Sequence, residues 1–125
     1  MTFRIFRKKV ENDLLPAINF FNAIPNHRFV EVVTFLSKGI GYTIEYCSCD
    51  FSDDLYLWEE PFEGIRFVNS ALDIESILDY EIVQELLRES SHSFLKERPE
   101  YMDIINQSLF DFSKKYNLLF KKLYF

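Results

Sequence analysis

The sequence is short of residues that interrupt regular secondary structure, with three Gly and four Pro among 125 residues. Because tight turns depend on these two residue types, their scarcity argues against a many-turned all-β fold. Cysteine is also scarce. Cys47 and Cys49 stand one residue apart, and no third cysteine exists to build a disulfide framework. Reduced thiols are typical of the cytosol, so we expect a cytoplasmic protein.

Long apolar runs are missing as well. The basic N-terminus is not followed by an apolar segment or a small-residue cleavage site, so we expect no signal peptide. The apolar runs that do occur fall far short of a membrane span, so we expect no membrane partner.

The chain is rich in hydrophobic residues and carries a net negative charge. Hydrophobic residues make up 48% of it, and fourteen Phe contribute to an aromatic fraction of 18%. This composition predicts one domain, residues 1–125, with a real core. A net charge of −6 disfavours direct binding of nucleic acid and favours a basic protein partner.

Hydrophobic spacing predicts seven elements in the order α-α-β-β-β-α-α. Helical spacing defines the four helices and alternation the three strands, although the β-rich composition of residues 29–36 makes a strand the competing interpretation there. The expected bounds run from Asn12 or Asp13 to Pro25, from Asn26 to Gly39, Gly41–Cys49, Gly64–Asn69, Leu72–Leu78, from Asp79 to Lys96, and from Pro99 to Asn117.

These elements predict an α+β fold. A small antiparallel sheet of about three strands is flanked by two N-terminal and two C-terminal helices that cover one of its faces. Thr2–Lys9 alternates weakly and is interpreted as a short strand or a frayed arm. The apolar, basic tail Leu118–Phe125 is expected either to dock on the body as a strand or helix or to pack against a partner.

An acidic stretch, Asp50–Asn69, organises the middle of the chain. No basic residue lies between Lys38 and Arg66, whereas seven acidic residues do, and the only Trp, Trp58, stands among them. Such a stretch can be a catalytic loop, a metal-binding loop or a docking surface.

Catalysis and metal binding are the weaker interpretations. The carboxylates are crowded on a loop without a His or a basic partner, whereas catalytic pairs need contrasting environments. A Ca²⁺ loop would need a central Gly and ligands at alternate positions, where Leu55 and Leu57 stand instead. We therefore expect no enzyme, no metal and no cofactor; a small metal-dependent hydrolase that uses these carboxylates stays an alternative.

Docking is the preferred interpretation. Carboxylates can replace phosphates against the Lys and Arg side chains of a nucleic-acid-binding protein, and an exposed Trp can anchor the contact. The competing interpretations are a merely solvated loop and a Trp58 that folds back over the sheet. The candidate binding residues are Asp50, Asp53, Asp54, Trp58, Glu59, Glu60 and Glu63.

A family resemblance starts at Pro61–Phe67, which reads P-F-E-G-I-R-F after the acidic loop. An acidic strand follows, then a helix that opens at Tyr80 and ends at E-R-P-E; F-F-N at 20–22 adds to the pattern. Over about residues 14–115 the chain resembles the immunity proteins of contact-dependent growth inhibition systems, in the group directed against nuclease, often ribonuclease, toxins.

The resemblance implies a small cytoplasmic protein that is not an enzyme and that binds and blocks the toxin of its own system. Glu63 and Gly64 match the family's E-G pair, which either contacts toxin or forms the corner between loop and strand. The tail after Lys115 lies outside the pattern, so a structural adaptor or homo-oligomer assembled through this tail is a further alternative.

Overall fold

The residues that the structure describes form an α+β fold of four helices and a four-stranded antiparallel sheet. A computed structural model describes residues 4–5, 12–52, 55 and 58–124. The elements in chain order are α1 (Leu15–Ala23), α2 (Asn26–Ser37), β1 (Tyr42–Ile44), β2 (Cys47–Phe51), β3 (Ile65–Asn69), β4 (Ile74–Leu78), α3 (Tyr80–Glu97) and α4 (Met102–Lys115).

The first two helices are separated by Pro25. The residue before it, Ile24, is extended (φ −71°, ψ 118°), as expected ahead of a proline, and α1 ends there. The segment with β-rich composition is helical, and Gly39 ends α2 with φ 76°. The expected N-caps need correction: Pro25 holds the cap position of α2, and Asn12 opens a short 3-10 turn before α1.

The predicted strand Gly41–Cys49 is wrong, because the structure places a β-hairpin there. The chain reverses at Glu45 and Tyr46, where Glu45 adopts a left-handed conformation (φ 51°). No Gly or Pro marks this turn, so the alternating pattern runs straight through it. Among the described residues the sheet therefore has four strands instead of about three, and β2 extends as far as Phe51.

The sheet order is β1-β2-β3-β4, and every neighbouring pair is antiparallel. Cys49, Ile65 and Phe67 are fully buried on the inner face. There the rings of Phe20 and Phe21 from α1 lie 5.6 and 5.9 Å from the ring of Phe67. Because α1 and the elements behind it pack on this side, the alternate residues of each strand lie on an outer face.

The C-terminal half follows its predicted course. Asp79 is the N-cap residue of α3, a 3-10 turn at Pro99–Tyr101 leads into α4, and Asn117 leaves the helix with φ 57°. Over its described residues, 118–124, the tail is neither a strand nor a helix. It docks on the body, where Asn106 exchanges two hydrogen bonds with the backbone of Leu123, of 3.0 and 2.8 Å.

Of the arm Thr2–Lys9, only Arg4 and Ile5 fall within the described residues. Both are buried, and both backbone N–H groups donate to Asn22 Oδ1.

Within the described residues no helix combines the length and apolar character needed to cross a membrane.

Candidate functional site

The outer face of the sheet carries two rows of side chains that run across the strands. Each row follows from the register of the strands, because directly paired residues in antiparallel strands point to the same side of the sheet. The first row is Thr43, Ser48, Val68 and Glu75, and the second is Asp50, Arg66 and Ile77. Ile77 is 50% exposed, so this face leaves apolar surface open.

Arg66 lies at the centre of the second row and ties the acidic loop to the sheet. Its Nη2 is 3.0 Å from Asp50 Oδ2 and 3.5 Å from Glu59 Oε1, and its guanidinium lies 5.3 Å from the ring centre of Phe62. Partial burial opposes the charge, but the hydrogen bonds and charges of Asp50 and Glu59 outweigh it and raise the pKa of Arg66.

This ion pairing corrects one expectation. The acidic stretch does have a basic partner, because Arg66 on the neighbouring strand forms ion pairs with two of its carboxylates. The sequence alone does not reveal this ion pair, because Asp50 and Arg66 are sixteen residues apart and become directly opposite only when β2 pairs with β3. Asp50 is thus a strand residue of the sheet surface and not part of a loop.

The loop returns to the sheet through a corner at Gly64. This glycine has φ 103°, and a Cβ placed on it would lie 2.4 Å from the backbone oxygen of Leu78. Only glycine fits such a conformation and such an approach. Ser52 Oγ also donates a hydrogen bond to the backbone oxygen of Phe62, which closes the base of the loop. The Gly of the E-G pair therefore has a framework role, while Glu63 beside it is exposed.

The seven candidate residues separate into three groups. Trp58 is 79% exposed, which rules out the alternative that it folds back over the sheet, and Glu60 and Glu63 are exposed as well. Asp50 and Glu59 are partly buried against Arg66. Asp53 and Asp54 lie outside the described residues.

Two residues of this surface were missed by the sequence analysis. An open groove of about 400 Å³ separates the loop from β3 and β4, and Glu75 and Ile77 form its far side. The signal for Ile77 was present in the sequence. In β4 the inward positions are those in phase with the buried Leu78, so Ile77 had to point outward as an unmatched apolar side chain. The groove is lined by Glu60, Pro61, Phe62, Arg66, Glu75, Ser76 and Ile77.

A larger cavity, of about 740 Å³, lies elsewhere, against α3. Arg4, Arg88 and His92 line it together with two glutamates, so its charges are mixed. Among the described residues no three His, Cys, Asp or Glu side chains come together in a way that could hold a metal ion. Cys47 and Cys49 are both buried and neither is in a disulfide; burial, followed by the charge of Glu45, raises the pKa of Cys47.

Exposed aromatic and aliphatic side chains ringed by charged groups are typical of a surface that binds another protein. The outer sheet face and its loop fit this class of protein-binding module.

A family model described as CDI immunity protein matches residues 8–109. The chain therefore belongs to the immunity proteins of contact-dependent growth inhibition, as the resemblance had predicted. None of the curated proteins is significantly similar to the chain. Membership in this family gives the protein a toxin-neutralising role that is exerted by binding a cognate toxin, which is the role of an inhibitor.

Proposed function

We propose that this protein neutralises a secreted nuclease toxin, with a ribonuclease as the first candidate, in the cytoplasm of the cell that makes it. The observation that carries the proposal is the negative charge of the sheet together with its acidic loop. The segment from Tyr42 to Leu78 contains nine acidic residues and one basic residue, Arg66, which is itself held in ion pairs. A nuclease must bind phosphates, so its cleft is basic and complementary to this surface.

Binding would occlude the toxin cleft. Glu59, Glu60 and Glu63, with Asp53 and Asp54, meet Lys, Arg or protonated His side chains in place of phosphates. Trp58 is the apolar anchor, because a large rigid ring at 79% exposure buries much surface at little entropic cost. Asp50 contributes through Arg66, by holding the loop in position.

The first experiment is co-expression with the toxin domain encoded beside this protein. Cells that carry both are expected to survive, whereas cells that carry the toxin alone lose viability and degrade RNA or DNA. Death in both cases would refute an immunity role against that toxin. Survival without any nucleic-acid degradation by the free toxin would keep the immunity role and reject the nuclease target.

The second experiment tests the surface with purified protein and a catalytically inactive toxin domain. The double variant Glu60→Lys with Glu63→Lys, at two exposed loop positions, is expected to slow association by more than tenfold at low salt, because charge complementarity steers encounter. The matched control is Glu85→Lys with Glu100→Lys, which changes the net charge equally at exposed positions on the helical side. Equal association rates for the two double variants would move the interface away from the loop.

A further inference from the structure

We propose that the groove between the acidic loop and strand β4 receives a Lys or Arg side chain of the toxin, so that the interface extends from the loop onto the outer face of the sheet. This inference rests on the proposed function. It assigns the centre of the contact to Glu60, Glu75 and Ile77, of which only Glu60 belongs to the loop.

The charges of the groove support this occupant. Asp50 and Glu59 already share the positive charge of Arg66, at 3.0 and 3.5 Å. Within the described residues neither Glu60 nor Glu75, which are both exposed, forms an ion pair, and they stand on the loop side and the β4 side of the groove. A cation that enters between them gains two carboxylates without displacing an existing partner.

The apolar parts of the groove match the rest of such a side chain. Ile77 is 50% exposed, and Phe62 is partly buried on the opposite side. Lys and Arg carry aliphatic stems that bury well against apolar surface while the charged head reaches carboxylates. A purely acidic partner segment would be repelled here, and a purely apolar one would leave both carboxylates desolvated without partners.

The groove is also organised before binding. Arg66 forms part of its lining and is fixed by two carboxylates and the Phe62 ring, while Gly64 sets the corner at which the loop rejoins the sheet. Preorganisation lowers the entropic cost of binding, because fewer side chains have to be ordered in the complex.

The test is the affinity of single variants for the purified inactive toxin domain, measured by surface plasmon resonance. Glu75→Lys and Ile77→Lys are each expected to weaken binding at least tenfold, mainly through faster dissociation, because each places a positive charge of this protein where the toxin side chain would bind. The matched control is Glu45→Lys, an identical charge reversal at the exposed β1–β2 turn on the other edge of the sheet; it is expected to change affinity less than threefold. Glu75→Gln keeps the size of the side chain and serves if the reversal fails to fold.

The outcomes separate the two proposals. If the wild-type protein binds and protects but Glu75→Lys, Glu75→Gln and Ile77→Lys bind as tightly as it does, the groove is not the contact and the proposed function stands. If the groove variants lose binding and the free toxin is not a nuclease, the groove stands and the nuclease target falls. If the wild-type protein does not bind the toxin, both proposals fall.

Discussion

Replacing Gly64 with Ala tests whether the loop corner has the geometry described. Gly64 holds φ at 103°, and an added Cβ would lie 2.4 Å from the backbone oxygen of Leu78. A positive φ costs a residue with a Cβ about 1–2 kcal/mol. Because the obstructing atom belongs to the backbone of β4 and cannot rotate away, overpacking adds about 1–3 kcal/mol.

The two contributions together predict a loss of about 3 kcal/mol from the free energy of unfolding. Domains of this size are stable by about 5–15 kcal/mol, so the loss is a large share of the total. With a urea dependence of about 2 kcal/mol per molar, the midpoint of unfolding is expected to fall by about 1.5 M. The measurement is urea denaturation followed by circular dichroism.

Gly39→Ala is the matched control. Gly39 also has a positive φ, of 76°, but the nearest atom to an added Cβ is Lys115 Cε at 2.7 Å, on a flexible side chain that can move. Its cost is therefore expected to be the conformational part alone, about 1 kcal/mol. If Gly64→Ala lowers the free energy of unfolding no more than Gly39→Ala does, then Gly64 does not lie as close to the backbone of β4 as described.

Three further predictions follow from contacts elsewhere. A double-mutant cycle between Arg66→Met and Asp50→Asn is expected to give a coupling of about 1 kcal/mol in the free energy of unfolding. Additive effects of the two substitutions would show that the ion pair does not stabilise the fold. Truncation after Asn117 is expected to lower the melting temperature without changing the oligomeric state seen in ultracentrifugation; a change of state would favour a homo-oligomer built through the tail. Because the raised pKa of Cys47 favours the neutral thiol in the folded protein, its stabilising contribution is fully present below the ordinary thiol pKa and is lost as pH rises through the raised value. Stability should therefore fall less steeply above about pH 8.5 in Cys47→Ala than in the wild type, and parallel pH profiles would contradict this.

Much of the fold could be predicted because local patterns determine it. Pro25, Gly39, Asp79 and Asn117 bound helices through backbone preferences that do not depend on distant residues. The hairpin around Glu45 could not be predicted, because a non-glycine residue in the left-handed region leaves no sign in the sequence. The tertiary structure alone makes this turn favourable.

The site was predictable only in part, for a different physical reason. Trp58 and Glu60 are exposed, as expected from their position in the sequence among acidic residues of a predicted loop. The pairing of Asp50 with Arg66 depends on strand register, which no short window of sequence contains. Glu75 and Ile77 lie outside the acidic stretch in the sequence, and only the pairing of β3 with β4 brings them beside the loop.

The Arg66 cluster has a consequence for how this surface can diverge. Substitutions at Asp50 or Glu59 leave a partly buried guanidinium with one partner fewer, so they carry a folding cost. Substitutions at the exposed Glu60, Glu63 or Glu75 carry almost none. Mutational tolerance is thus concentrated at these exposed positions, and an immunity protein can follow a changing toxin through them while the scaffold below keeps its stability.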